Sequence, residues 1–167
     1  MRILGIDPAL TISGYGIVDF YRNKLTLQEA GVIKTTASQD LPKRLNKIYQ
    51  AVRKLISDTH PDVVVLEKLY AHYRHPATAY LLGQARGVIC LACAIENIPM
   101  IEYSATRVKK AIVGCGLAPK YQVQRMISNI LNLNTLPKYT DVSDALALAI
   151  AHSYIMRINA MRKPVLG

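Results

Sequence analysis

Acidic residues are scarce in this sequence. The 167 residues include 11 Asp and Glu against 21 Lys and Arg, which gives a formal net charge of +10 at pH 7. So large an excess of positive charge favours a polyanionic partner that binds across a broad basic surface, with a merely solvated surface as the alternative. The basic residues are spread along the chain, with denser groups at 43–54 and 107–125.

Cysteines and long apolar runs are also few. The three cysteines form no even set of the kind that a disulfide framework needs. Cys90 and Cys93 match a C-x-x-C pattern, but they fall in an apolar helical stretch, where we expect core residues and not a redox or zinc site. The longest unbroken apolar run, 88–95, is far shorter than the roughly 20 residues that cross a bilayer. We therefore expect a cytoplasmic protein without membrane association.

Apolar residues are abundant, and their spacing predicts an α/β fold. Hydrophobic residues make up 51% of the chain and charged residues 19%, which fits a single packed domain. The pattern predicts strands at 2–7, 14–20, 25–35, 62–67 and 100–103, and helices at 41–56, 76–97, 104–114, 119–131 and around 145–151. The first three strands form an antiparallel meander, and a crossover helix lets the fourth strand lie parallel to the first. The result is a five-stranded mixed sheet flanked by helices.

Four of the few acids occupy informative positions. Asp7 and Glu67 each end a short apolar strand, and the carboxyl ends of parallel central strands meet at a crevice. Asp141 and Asp144 open the last apolar helix, and their spacing of three residues places them on one helix face. The four carboxylates can therefore converge, and hard oxygen ligands facing a polyanion indicate a site for Mg²⁺, with Mn²⁺ as a substitute.

Each acid also has a simpler explanation. Asp7 precedes a proline and can be a plain strand exit, and Glu67 can form an exposed ion pair with Lys68. Asp141 as an N-cap with Asp144 three residues later resembles a capping box, which requires no metal.

Five ordered motifs resemble the RuvC family of crossover junction endodeoxyribonucleases, the bacterial Holliday-junction resolvases. They are Ile6-Asp7-Pro8 followed by Gly14-Tyr15-Gly16, the strand-terminal Glu67, Leu82-Gly83-Gln84-Ala85-Arg86-Gly87, Val113-Gly114-Cys115-Gly116, and Asp141 with Asp144-Ala145-Leu146-Ala147. The resemblance implies an RNase H-like nuclease domain over 1–157 with a short basic tail at 158–167. It also implies a homodimer, a four-way DNA junction as substrate, and the RuvA–RuvB branch-migration complex as a partner.

The resemblance further assigns roles to individual residues. Asp7, Glu67, Asp141 and Asp144 correspond to the family's catalytic acids, which would hold two ions that promote hydrolysis of a phosphodiester. The expected DNA contacts are Tyr70, Arg74, Arg86, Lys109, Lys110 and Lys120.

The chain departs from the family at two places. Ala9 stands where the family usually has glycine, and Tyr70 stands where some members have phenylalanine. The segment 72–75 adds rings and cations that either stack on junction bases or form an ordinary surface loop.

A homodimer needs an interface, and the helix at 76–97 offers one. Its candidate residues are Leu81, Leu82, Gly83, Gly87, Val88 and Ile89, with ordinary core packing as the alternative.

Two other functions stay open at this stage. Gly14-Tyr15-Gly16 after Asp7 vaguely resembles the phosphate loop of actin-like ATPases, and a basic non-enzymatic module could bind junctions with its acids serving only as helix caps.

Overall fold

A five-stranded mixed sheet lies between two layers of helices. The computed structural model describes residues 1–69 and 76–162. The strands are β1 (Arg2–Asp7), β2 (Ile12–Tyr21), β3 (Lys24–Lys34), β4 (Val63–Glu67) and β5 (Met100–Tyr103), and the helices are α1 (Leu41–Thr59), α2 (Pro76–Ile95), α3 (Ala105–Val113), α4 (Lys120–Leu131) and α5 (Thr140–Arg162). The strand order is β3-β2-β1-β4-β5. The first three strands pair antiparallel and β4 runs parallel to β1, as predicted. The fifth strand, β5, runs parallel to β4.

The alternation of side chains along the central strands explains the two layers. Ile3 and Val65 pack with α3, α4 and α5 on one face of the sheet, whereas Leu4 and Leu66 pack with α1 and α2 on the other. Successive side chains on a strand point to opposite faces. Because Asp7 follows Ile3 by four residues and Glu67 follows Val65 by two, both acids project on the α5 side.

The ends of several elements differ from the sequence prediction. Helix α2 ends at Ile95 and not at 97, and Asn97 has a left-handed backbone with φ 54° that prevents a further turn. Helix α5 begins at Thr140, before the predicted apolar stretch, and it continues through Arg162. The predicted tail from 158 onward therefore starts inside a helix, because residues 158–162 are helical.

Helix α2 is the most apolar surface element of the described chain. Over Thr78–Ile95 it is long and apolar enough to cross a membrane by length and composition alone, with 22% of that window buried. Such a signal is weak, and the expectation of no membrane association stays untested. Cys93, on the inner side of α2, is buried as predicted. The pKa of its thiol is raised to about 11, mainly by burial and to a smaller extent by the nearby Cys90. Cys115 differs from its companions, because it is exposed.

Candidate active site

The carboxyl ends of β1 and β4 bring two of the predicted acids to one edge of the sheet. Ile6 of β1 pairs with Leu66 of β4, so Asp7 and Glu67 are the next residues along two adjacent parallel strands. Both strands are buried up to these acids, so the backbone positions are fixed by the core. The simpler explanation of two unrelated strand exits does not account for this pairing.

Helix α5 places the second pair of acids over the same edge. Its first turn contains Asp141, and Asp144 follows within the helix. The helix lies very close to the sheet at two glycines: a Cβ at Gly5 would meet the carbonyl oxygen of Ala145 at 2.0 Å, and a Cβ at Gly14 would meet that of Asp141 at 2.1 Å. Only a residue without a side chain permits this approach.

The charges of the other three acids all reach Asp7. The pKa of Asp7 is raised to about 7, mainly by burial and then by the charges of Asp144, Asp141 and Glu67. The pKa of Glu67 is also raised, first by burial and then by Asp144. Carboxylates that disfavour each other's charge are typical of a site that receives cations.

Two of the predicted lysines face the cluster. Glu67, Asp144, Lys109 and Lys120 line one cleft of about 180 Å³. Lys120 Nζ donates a hydrogen bond of 2.5 Å to Asp144 Oδ2. Burial alone would lower the pKa of Lys120, but this hydrogen bond and the charges of Asp144, Asp7 and Asp141 raise it above its ordinary value. The positive charges of Lys109 and Lys120 lower the pKa of Glu67 and so oppose the increase caused by burial and Asp144.

The geometry contradicts two of the simpler explanations. Helix α5 begins at Thr140, so Asp141 lies within the first turn and is not its N-cap, and Asp144 binds Lys120 in place of a capping partner. Gly14 and Gly16 lie inside β2, paired with Asp7 and Gly5, and do not form a loop that could wrap a phosphate. The hypothesis of an actin-like ATPase therefore has no phosphate loop at these glycines to support it.

The donor set fits a divalent cation of the magnesium type. Carboxylate oxygens are the ligands that such ions prefer, and Asp7, Glu67, Asp141 and Asp144 supply them from three elements. Across residues 1–69 and 76–162, no three acidic, histidine or cysteine side chains converge closely enough to hold one ion as they stand. The hydrogen bond from Lys120 to Asp144 occupies one of the donor oxygens.

Comparison with known proteins identifies the family. The family model described as crossover junction endodeoxyribonuclease RuvC matches residues 3–152. The chain belongs to the RuvC family. It is 44% identical to the RuvC of Rhodopirellula baltica over 92% of this chain and 86% of that protein. It is 46% identical to the RuvC of Alkaliphilus metalliredigens over 92% of this chain and 93% of that one.

Solved RuvC structures have the same fold. The chain is similar to Thermus thermophilus RuvC in complex with Holliday junction substrate, with a TM-score of 0.90, 31% identity, and coverage of 95% of this chain and 96% of that one. The fowlpox virus Holliday junction resolvase shares the fold with a TM-score of 0.56 at 18% identity, over 92% of this chain and 98% of that one. The predicted RNase H-like architecture is thereby confirmed.

The remaining predicted DNA contacts are less uniform. Lys110 lines a different cleft from its neighbour Lys109, together with Arg107 and residues near the end of α5. Arg86 is held in internal contacts, with its side chain only 11% exposed. Tyr70, Arg74 and the whole segment 72–75 lie outside the described residues.

Two positions near the site carry more than sequence reasoning assigned to them. Ala9 has no left-handed backbone. The hydroxyl of the buried Ser13 accepts a hydrogen bond from the Ala9 N–H at 3.0 Å and donates one to the Ala9 carbonyl oxygen at 2.6 Å. The role of Gly5 as a contact point for α5 was missed, although a lone glycine in a buried strand is a known sign of close backbone approach.

Proposed function

We propose that this protein is a structure-selective endonuclease that resolves four-way Holliday junctions by paired hydrolysis of phosphodiester bonds during DNA recombination and repair. The observation that carries the proposal is the convergence of Asp7, Glu67 and Asp144 with Lys120 at the edge of an RNase H-like sheet. Membership of the RuvC family, whose members are crossover junction endodeoxyribonucleases, supports the same activity.

The acids are the residues that would hold the metal. We propose two Mg²⁺ ions held by Asp7, Glu67, Asp141 and Asp144, with Mn²⁺ as a substitute, since the set contains only hard oxygen donors. When bound, such ions supply an activated water and charge stabilisation for in-line displacement at a phosphodiester. The protein's share is to hold four carboxylates on three rigid elements.

The lysines act on the substrate. Lys120 neutralises Asp144 in the structure, and a phosphate that enters the cleft presents a second anion to the same ammonium group. Lys109 lines the same cleft and lies on α3. Both can bind phosphate oxygens and offset the negative charge that develops during hydrolysis, because a protonated ammonium is a compact positive charge with three donors.

The exposed face of α2 supports a homodimer. Tyr80, Leu81, Leu91 and Ile95 are between 40% and 66% exposed. Gly83 and Gly87 lie on the exposed part of the same helix, and a Cβ on either would meet no atom within 4 Å.

Such a face suits the isologous packing of a two-fold dimer, in which small residues allow close approach. Two sites related by a two-fold axis can cut two strands of like polarity. The prediction that Ile89 lies in the interface is wrong, because this residue is fully buried in the core between α2 and the sheet.

The expected surroundings follow from the family alone. We propose that the protein works in the cytoplasm beside the RuvA–RuvB branch-migration complex. The net charge of +10 suits work on DNA.

A cleavage assay tests the function. The purified protein is incubated with a synthetic mobile four-way junction and with a linear duplex of the same sequence, each with Mg²⁺ and with Ca²⁺. We expect paired nicks in the junction with Mg²⁺ only, and no cleavage of the duplex. Binding of the junction without cleavage in Mg²⁺ would instead favour the non-enzymatic module.

A further inference from the structure

Arg86 links the ends of β4 and β5 at the edge of the sheet where the acids lie. Its guanidinium Nη1 donates a hydrogen bond of 2.8 Å to the carbonyl oxygen of Glu67, and Nη2 binds the carboxylate of Glu102. Only 11% of the Arg86 side chain is exposed. A planar guanidinium that binds two acceptors fixes their relative positions in a way that a flexible ammonium cannot.

The end of β4 needs this support because the sheet ends there. The ladder between β1 and β4 stops at Ile6 and Leu66. The residue that follows Asp7 is Pro8, which has no N–H to continue the ladder. On the other side, the N–H of Lys68 still donates to the carbonyl oxygen of Tyr103 in β5 at 2.8 Å. Arg86 therefore provides a donor where the β1 side offers none.

Arg86 acts from the face opposite the carboxylates. Glu102 pairs with Leu66, whose side chain packs in the core beneath α1 and α2. Alternation along the strand places the side chain of Glu67 on the other face, towards α5. Arg86 thus holds the backbone of Glu67 while the carboxylate stays available to the site.

We propose that Arg86, with Glu102, is a positioning residue that fixes the orientation of the Glu67 carboxylate for catalysis. This inference rests on the proposed nuclease function. Partners that orient a ligating side chain influence rate and metal affinity much more than they influence substrate binding. Arg86 would not touch the DNA, which replaces its predicted role as a DNA contact.

The substitution Arg86→Lys tests this role, because it keeps the positive charge and removes the planar guanidinium that binds two acceptors. Arg53→Lys is the matched control. Arg53 Nε also forms an ion pair with a glutamate, Glu96, at 2.6 Å, but it lies at the far end of α2 and its side chain is 41% exposed. Three functional quantities are measured for both variants: single-turnover junction cleavage with Mg²⁺, junction affinity in Ca²⁺, and Mn²⁺ binding by calorimetry without DNA. The melting temperature of each variant is recorded beside them.

We expect Arg86→Lys to lower the cleavage rate and the Mn²⁺ affinity by about 10- to 100-fold. Its junction affinity should stay within about twofold of wild type, since no DNA contact is lost. Arg53→Lys should leave all three quantities near wild type. Glu102→Gln keeps the shape of the acceptor but weakens its hold on Arg86, so it should show a smaller loss of the same kind.

Distinct outcomes separate the possible failures. Wild-type rates and Mn²⁺ affinity in Arg86→Lys would overturn the positioning role, as would equal losses in Arg53→Lys that follow the melting temperature. A loss of junction affinity alone would restore Arg86 as a DNA contact. If Arg86→Lys does not fold, Glu102→Gln decides by the same criteria. Absence of cleavage by the wild-type protein would contradict the proposed function and not this inference, which the Mn²⁺ titration still tests.

Discussion

Gly14 lies directly against the backbone of Asp141. A Cβ atom at residue 14 would stand 2.1 Å from the carbonyl oxygen of Asp141 and 2.7 Å from the nitrogen of Val142. Gly14 is also the residue of β2 that pairs with Asp7. The absence of one side chain therefore allows the start of α5 to lie over the end of β1, where the acids meet.

Replacing Gly14 with alanine should separate the two halves of the site. The added methyl group meets backbone that cannot move without shifting α5, so we expect a loss of about 1–3 kcal/mol in the free energy of unfolding and a large loss of cleavage. Gly31→Ala is the control, because the three atoms nearest to its Cβ would belong to the Tyr15 side chain, which can move. Denaturant unfolding and junction cleavage of both variants check this, and equal behaviour of the two would contradict the role given to Gly14.

The acidic cluster should make stability depend on pH when divalent cations are absent. Asp7 has an ordinary pKa of 3.8 and a pKa of about 7 in the folded chain, mainly because of burial. The folded state therefore binds the proton more tightly than the unfolded state, and the stabilisation present below pH 4 is lost as the pH rises through 7.

Asp7→Asn removes this dependence. We expect the variant to match wild type near pH 4 and to be more stable by roughly 2–4 kcal/mol at pH 8 in the presence of a chelator. Denaturant unfolding across this pH range measures the difference. A gap between the two proteins that stays constant from pH 5 to 8 would show that Asp7 does not titrate as described.

The neighbouring residues Lys109 and Lys110 should behave differently, because they line different clefts. Lys109→Ala should lower junction affinity and should also slow cleavage of saturated complexes. It should reduce the slope of log affinity against log salt concentration by about one. Lys110→Ala should affect affinity at most and leave the saturated rate unchanged. Binding titrations at several salt concentrations and single-turnover rates distinguish them, and an equal rate loss in both variants would contradict the assignment.

Much of this architecture could be predicted because local patterns and tertiary packing agree. The buried runs that end in Asp7 and Glu67 indicated parallel central strands, and the structure pairs them at that edge. Asp7 and Glu67 were found because each ends an apolar strand in a chain with few acids. Asp141 and Asp144 were found because their spacing of three residues places them on one face at the start of an apolar helix.

Other features depend on packing that sequence spacing does not reveal. Arg86 was predicted as a DNA contact, but its guanidinium donates to the carbonyl oxygen of Glu67. Lys109 and Lys110 are adjacent in sequence, yet a helix rotates successive residues by about 100°, so they face different clefts. Ile89 shares the apolar character of its helix, and only the packing of α2 shows that it faces the core.

The dimer face on α2 can be tested by one charge. Leu91 is 52% exposed on α2, and Leu91→Glu would place a carboxylate in the proposed interface, where an unpaired buried charge is costly. We expect monomers in sedimentation velocity and loss of paired nicking. Leu117→Glu is the control, because Leu117 is 89% exposed in the segment between α3 and α4. A dimer that persists in Leu91→Glu, or dissociates equally in both variants, would place the interface elsewhere.

The most direct test of the account removes the charge of the acids one at a time. Asp7→Asn, Glu67→Gln, Asp141→Asn and Asp144→Asn are compared with wild type on a four-way junction with each strand labelled separately. Wild type should nick two strands of like polarity in Mg²⁺. Each amide should cut about 100-fold more slowly or not at all, yet bind the junction as well as wild type, because a ligand charge is lost and the basic surface is not. Cleavage by Asp7→Asn or Glu67→Gln at the wild-type rate would contradict the assignment of this cluster as the catalytic site.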